Sequence, residues 1–291
     1  MQHRTVDLDG PVHYADFGGS GPPIVLVHGL GGSHLNWLPV APRLAAHGRV
    51  FAIDLAGHGR TLSLGRTARV SANRRLLGRF LDAVAREPVV LMGNSMGGYI
   101  SLAEAAAEPA KVASLVLVDA AVPAASGASL DLRTIALFAG LTLPFIGGAL
   151  MSLRARKGPV ENVRSILALC CKDPSRIAPE VYDAHVALAR ERATYGPVVR
   201  RDFLEAQRSL LTALLQRRRF YAMIAAIRAK TLIIQGEQDR LVRVESARAL
   251  HAARPDWRLE VLDDVGHVPQ LEAPERFLAI VEPWLRTRAA A

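Results

Sequence analysis

Two kinds of hydrophobic pattern take turns along the chain up to residue 120. Short apolar runs at 24–27, 50–54, 88–92 and 114–118 are rich in Val, Ile and Leu. A strand that is apolar on both faces belongs in the interior of a parallel sheet. The segments between them, at 37–47, 71–86 and 96–108, carry apolar positions at helical spacing, with Ser71 placed to cap the second. Ahead of the first run, residues 5–14 read as a hairpin turning at Asp9-Gly10, and 18–23 is a loop of glycines and prolines. This alternation predicts an α/β fold, a mostly parallel sheet with helices on both faces.

At Ala121 the alternation stops. From there to Ile227 only helical periodicity remains, cut by Pro123, Pro144, Pro159, Pro174, Pro179 and Pro197. Strand signals resume at 231–235 and 258–262, separated by a helical segment at 244–253, and a helix at 274–285 closes the chain. The expectation is a core built from residues 1–120 and 228–291, interrupted once by an all-helical insertion at 121–227.

One junction adds chemistry to this outline. The run at 88–92 leads into Gly93-Asn94-Ser95-Met96-Gly97-Gly98, and a helix follows at once. A Gly-x-Ser-x-Gly sequence between strand and helix makes a turn so tight that the serine is strained and its hydroxyl exposed. In a parallel sheet the loops after the strands share one edge, where sites are built. Three more such loops read His28-Gly29-Leu30-Gly31-Gly32, Gly236-Glu237-Gln238-Asp239 and Gly266-His267. A serine hydroxyl needs a base to take its proton, and the base needs an acceptor to orient it. Ser95, His267 and Asp239 supply these roles in the chain order Ser, Asp, His. The backbone N–H groups of Leu30 and Met96 are the expected oxyanion donors, with Gly29 allowing the close approach. Asp119, which also ends a strand, competes with Asp239 as the acid. His28, His58 and Asn94 are expected to shape their loops.

These motifs, with Asp54-Leu55-Ala56-Gly57-His58-Gly59, run through nearly the whole chain in order. On them the chain resembles the α/β-hydrolase superfamily in its form with a helical cap. Thr61 stands where many members have serine. The resemblance implies a serine hydrolase, first of all a carboxylesterase forming an acyl-enzyme. The serine at position 95 argues against the dehalogenase and epoxide-hydrolase branches, which need Asp there. Other readings are carbon–carbon hydrolysis of vinylogous diketones from aromatic-ring fission, whose enzymes share Gly-Asn-Ser-Met-Gly-Gly, and lactonase or perhydrolase chemistry. From another class, the chain could be a ligand-binding regulatory homologue.

Composition narrows the partners. The net charge is +9 over 291 residues, but lysine occurs only at Lys111, Lys157, Lys172 and Lys230, so the excess is scattered arginine. No basic run interleaves with aromatics, which argues against nucleic acid. No Cys/His spacing suggests a metal, and no Gly-x-Gly-x-x-Gly opens a helix after a strand, so no cofactor is expected. Cys170 and Cys171 are adjacent and offer no disulfide framework, and the N-terminal residues show no signal peptide, so a cytoplasmic location is expected. Within the insertion, 134–153 holds no charged residue but is broken by Pro144 and three glycines. It is expected to roof the site with apolar walls for a hydrophobic ester. Beside Arg154, Arg156 and Lys157 it also fits weak contact with a membrane surface.

Overall fold

A computed structural model describes residues 1–125, 140–143 and 146–289. Eight strands form one sheet: β1 (Gln2–Asp7), β2 (Pro11–Gly18), β3 (Pro23–Val27), β4 (Arg49–Ile53), β5 (Val89–Asn94), β6 (Val112–Val118), β7 (Lys230–Gly236) and β8 (Arg258–Leu262). Their order is β1-β2-β4-β3-β5-β6-β7-β8. The pairs β1–β2 and β2–β4 are antiparallel and the other five are parallel. The period-two alternation of a strand sends successive side chains to opposite faces. Val25 and Val27 of β3 therefore join one core cluster, while Ile24 and Leu26 join another across the sheet.

The two faces are covered by different helices. On one lie α2 (Val70–Phe80), α3 (Met96–Ala107) and α9 (Val244–Ala253), burying Leu77, Phe80, Ile100 and Leu250. On the other, α1 (Ala41–Leu44) and α11 (Pro274–Ala289) bury Leu44, Phe277, Leu278 and Val281, with Trp37 fully buried beside them.

Some elements differ from the periodicity. The helix expected at 37–47 is a 3₁₀ turn at His34–Trp37 and a single helical turn at α1. Pro39 and Pro42 explain the break, since each removes a backbone donor that a continuous helix would use. Ser71 does not cap α2; Arg69 sits at that position without a side-chain cap. The hairpin turn does lie at Asp9-Gly10, where both residues have positive φ and Gly10 N–H donates to Asp7 Oδ1 at 2.8 Å.

Between β6 and β7 the described residues hold helices and no strand: α4 (Ile146–Ala155), α5 (Gly158–Cys170), α6 (Pro179–Ala193), α7 (Gly196–Leu215) and α8 (Arg217–Ala225). Helices α5 and α6 pack around their own cluster of Val163, Leu167, Ile177, Val181 and Val186. Phe220 and Ile224 of α8 instead join the main core, and Phe220 stacks on Tyr99 of α3. Of the uncharged stretch at 134–153, residues 134–139 and 144–145 lie outside the described residues. The described part differs from the expected roof. Ile146, Leu150 and Leu153, one turn or so apart on α4, are 48%, 38% and 59% exposed and face outward. Among the described residues no helix is long and apolar enough to cross a membrane.

Candidate active site

β5 lies in the middle of the sheet, hydrogen-bonded to β3 and β6, so its C-terminal end is rigid. Ser95 follows directly with φ 55° and ψ −119°. A non-glycine residue there carries strain of about 1–3 kcal/mol, which surrounding structure must hold. Here Ser95 N–H donates to Val118 O at 3.0 Å, and Ser95 O accepts from Ala121 N–H at 2.9 Å and Tyr99 N–H at 3.1 Å. The flanking glycines are required by contact. A Cβ on Gly93 would meet Gly97 O at 2.5 Å, and one on Gly97 would meet Val27 O at 2.3 Å.

Asn94 connects this turn to the histidine loop. Its Nδ2 donates to Val118 O and to His267 O, each at 3.1 Å. The His267 backbone is held from the other side as well, because its N–H donates to Cys170 O at 2.6 Å at the end of α5. Gly266 has no room for a side chain there: a Cβ would meet Cys170 O at 2.3 Å. Glu272, on the short α10 (Pro269–Glu272), fastens the same junction by accepting from Gly266, Lys172 and Asp173 N–H groups at 2.8, 3.1 and 2.8 Å.

The His267 ring bonds through Nδ1 to Asp239 Oδ2 at 2.6 Å, leaving Nε2 as its other nitrogen. Asp239 is buried and accepts from Leu241 N–H at 2.7 Å and Val242 N–H at 3.0 Å through Oδ1. It is thus an acceptor whose orientation is locked by its own loop. Asp119 does not bond the histidine. Its Oδ1 accepts from Gly236 N–H at 2.9 Å and from Gln235 Nε2 at 2.8 Å. Gln235 Nε2 also reaches Asp239 Oδ2 at 3.2 Å, so one amide spans both carboxylates. Burial and the neighbouring Asp239 charge raise the Asp119 carboxyl well above the usual carboxylate range.

The loop after β3 lies against Ser95. A Cβ on Gly29 would lie 3.0 Å from Ser95 Cβ, so glycine eases this close approach. Neither Leu30 N–H nor Met96 N–H has an acceptor among the described residues. Met96 is also the first residue of α3, where the helix leaves donors unpaired and its dipole favours negative charge. His28 is fully buried and shapes this loop: Nδ1 donates to Gly29 O at 2.7 Å while Nε2 accepts from Leu55 N–H at 3.1 Å. Burial pushes its imidazole down to about 4, so it stays neutral. His58 is held likewise, with Nδ1 on Ala56 O, and burial pushes it down to about 3.

Three residues near this edge were not singled out by their sequence context. His13 and His34 both bond Asp54 through Nδ1, at 2.7 Å and 3.0 Å. The third, Gln235, carries no motif and is recognised only once its two carboxylate partners are in view. Thr61 accepts from His13 N–H at 2.9 Å, a bond that a serine hydroxyl could equally supply. Arg192 of α6 anchors the insertion to the β4 loop through Gly57 O at 2.8 Å and Gly59 O. A separate cleft of about 530 Å³ opens between the start of α2 and α7, lined in part by Arg66, Arg69, Arg201 and Arg208, and includes none of the residues around Ser95.

Comparison with known proteins places the fold. A curated relative from Pseudomonas putida, named 2-hydroxy-6-oxononadienedioate/2-hydroxy-6-oxononatrienedioate hydrolase 2, is 28% identical over 97% of this chain and 94% of its own length. A second from the same species, named 2-hydroxy-6-oxo-2,4-heptadienoate hydrolase, is 31% identical over 92% of this chain and 90% of its own. Among solved structures, one described as a candidate lipase from Acinetobacter baumannii superposes with a TM-score of 0.80 at 27% identity, covering 98% of this chain and 91% of that one. The family model for the α/β-hydrolase fold matches residues 22–274, from the start of β3 to the start of the last helix. That span takes in the Ser95 turn, both loops that hold the acid and the base, and the helices between them: the chain belongs to the α/β-hydrolase fold family.

Proposed function

We propose that the protein is a serine hydrolase that cleaves esters with a hydrophobic part through an acyl-enzyme on Ser95. The observation that carries this reading is the strained Ser95 turn, tied through Asn94 to the histidine that Asp239 orients. His267 Nε2 takes the Ser95 proton as Oγ attacks the carbonyl carbon. Negative charge then grows on the carbonyl oxygen, where the Leu30 and Met96 N–H groups receive it without prior reorganisation. His267 returns the proton to the departing alcohol, and a water activated by the same nitrogen releases the acid.

A second reading, hydrolysis of a carbon–carbon bond beside a ketone, is favoured by the names of the curated relatives at 28% and 31% identity. A ring-fission acid would need a cation for its carboxylate. Arg192 is committed to backbone carbonyls, whereas the part-buried Arg154 guanidinium has no hydrogen bond or carboxylate partner among the described residues. Burial lowers the Arg154 guanidinium, and burial also raises the neighbouring Cys170 thiol to about 12, so that thiol stays neutral and does not pair the guanidinium's charge.

A fluorophosphonate probe should label the wild type and not Ser95→Ala. Turnover of p-nitrophenyl esters of graded chain length is then compared with that of a ring-fission diketone. Efficient diketone cleavage with weak esterase activity, lost in Arg154→Gln, would move the assignment to the second reading. An unlabelled wild type would remove both.

A further inference from the structure

The acid behind His267 is not alone. Asp119 and Asp239 end neighbouring parallel strands, and ligand-type atoms of Asp119, Asp239 and His267 all lie within 4.8 Å of one another. Both carboxyls are buried, at 0% and 1% exposure. Asp119 is held at φ 44° by Asp119 N–H donating to Ile234 O at 2.9 Å, a strained backbone for a non-glycine residue. Gly236 N–H and Gln235 Nε2 occupy its Oδ1, which leaves Oδ2 as the oxygen available to Asp239. Among the described residues no N–H or O–H donor reaches Asp119 Oδ2, although it is buried. Two facing ionised carboxylates at this depth would repel each other, whereas one proton between them turns the contact into a hydrogen bond.

We propose that Asp119 carries a proton that it donates to Asp239, and so acts as a positioning residue that sets how strongly Asp239 supports His267. The proposal rests on reading Ser95, His267 and Asp239 as the triad. Asp119 is then neutral under working conditions, and the pair holds a single negative charge on the side facing the imidazole. The charge environment agrees. Asp239 and Glu272 both oppose a second negative charge on Asp119, and the Cys170 thiol next to the pair is itself kept neutral. Within this group His267 is the one partner that becomes cationic during turnover. A neutral donor on Asp239 spreads that carboxylate's charge, making the imidazole less basic than an unshared aspartate would. It remains basic enough to accept the serine proton, yet gives it up readily to the leaving group.

Asparagine and alanine at position 119 separate the outcomes. Asn keeps an oxygen for Gly236 N–H and Gln235, and its amide can replace the shared proton as a donor to Asp239. Ala removes both. The readouts are the titration of the His267 ring, followed by nitrogen-15 NMR on the whole chain, and the pH profile of ester kcat/KM. Asp119→Asn should leave the His267 titration in place and kcat/KM within about threefold of wild type. Asp119→Ala should concentrate charge on Asp239, raise the His267 pKa by about one unit, move the acid limb of kcat/KM up with it, and lower the rate about tenfold. A lower His267 pKa in Asp119→Asn would mean that an ionised Asp119 had been lost, which overturns the proposal. So would an Asp119→Ala enzyme whose melting temperature falls while its His267 titration stays put, the mark of a purely structural role. If Asp119→Ala does not fold, the asparagine variant alone still decides whether the group was charged. Absence of fluorophosphonate labelling in the wild type sinks the triad instead, and the NMR titration reads Asp119 independently of it.

Discussion

Among the described residues the sheet edge holds two buried aspartate–histidine clusters, one after β4 and one after β7 and β8. Both carboxylates accept two backbone N–H bonds: Asp54 from His34 and Arg60 at 2.7 and 2.8 Å, Asp239 from Leu241 and Val242 at 2.7 and 3.0 Å. Both accept a ring N–H at under 3 Å. The difference lies in what stands beyond the histidine and behind the acid. His34 Nε2 is buried with no partner among the described residues, and His13 Nε2 meets His3 Nδ1 at 3.0 Å. His267 instead has its backbone pinned to the Ser95 turn, and Asp239 has a second carboxyl behind it. Asp54 has cation-capable rings on two sides. Burial works against its ionisation, but the bonds from His13 and His34 outweigh this and hold its carboxyl below the usual range. The lesson is that an oriented His–Asp pair is by itself a structural unit, and that attachment to the Ser95 turn is what sets the His267 pair apart. Asp54 ties β2, the His34 turn and the Arg60 loop into one corner, and that corner carries the loop next to Ser95.

The comparison breaks most sharply under substitution of the two acids. Asp239→Asn leaves an oxygen for the Leu241 and Val242 N–H groups but no longer fixes the imidazole, so kcat should fall about 10³–10⁴-fold with the fold intact. Asp54→Ala should do the opposite. Removing a buried charge from its partners costs about 3–5 kcal/mol, seen as a large drop in urea midpoint, while the rate per folded molecule stays within an order of magnitude. Equal loss of rate from both variants would show that the Asp54 corner takes part in the chemistry.

The two clusters were not equally visible before the structure. Ser95 stands out because the turn's sterics demand glycines on both sides, and those constraints are written in six consecutive residues. The acid loop is legible because it follows the apolar strand β7, and the base loop because Gly266-His267 stands between the strand pattern of β8 and the last helices. His13 and His34 were hidden, because their approach to Asp54 depends on strand pairing: β2 runs antiparallel to β4 with Tyr14 opposite Ile53, and β3, which leads to the His34 turn, runs parallel to β4 with Val27 opposite Ile53. Nothing local marks such a register. The helix expected at 37–47 failed where local proline sterics overruled apolar spacing. The uncharged run ending at Leu153 was legible as apolar but not as outward-facing, since orientation follows from packing of α4 on α7 rather than from composition.

pH should separate the buried groups by sign. His28 and His58 are held near 4 and 3 by burial, below the ordinary 6.5. The unfolded chain therefore takes up protons first, and the stability these neutral rings confer is full above pH 6.5 and lost as pH falls toward 4. Asp119 runs the other way, because its folded carboxyl is raised. Its contribution is present below the ordinary carboxylate range, near pH 4, and is lost as pH rises toward its elevated value. Urea midpoints measured from pH 4 to 8 should thus rise for the wild type through the histidine window. Asp119→Asn should gain on the wild type progressively toward higher pH. A difference between the two that does not change with pH would mean that Asp119 titrates normally.

The outer face of α4 should give the smallest effect, and its smallness is informative. Ile146, Leu150 and Leu153 were expected to form greasy walls over the site, and instead stand 38–59% exposed. Burying a leucine side chain fully is worth about 1.5–3 kcal/mol, so replacing one that lines a filled pocket changes both stability and the affinity for long acyl chains. Replacing one that stands in water changes stability by no more than about 0.5 kcal/mol. The double variant Leu150→Ser, Leu153→Ser should accordingly keep its urea midpoint and its KM for both short and long p-nitrophenyl esters. A KM that rises with acyl length in this variant would mean that α4 turns its apolar stripe toward the substrate during turnover. The cap would then work in a closed arrangement different from the one described.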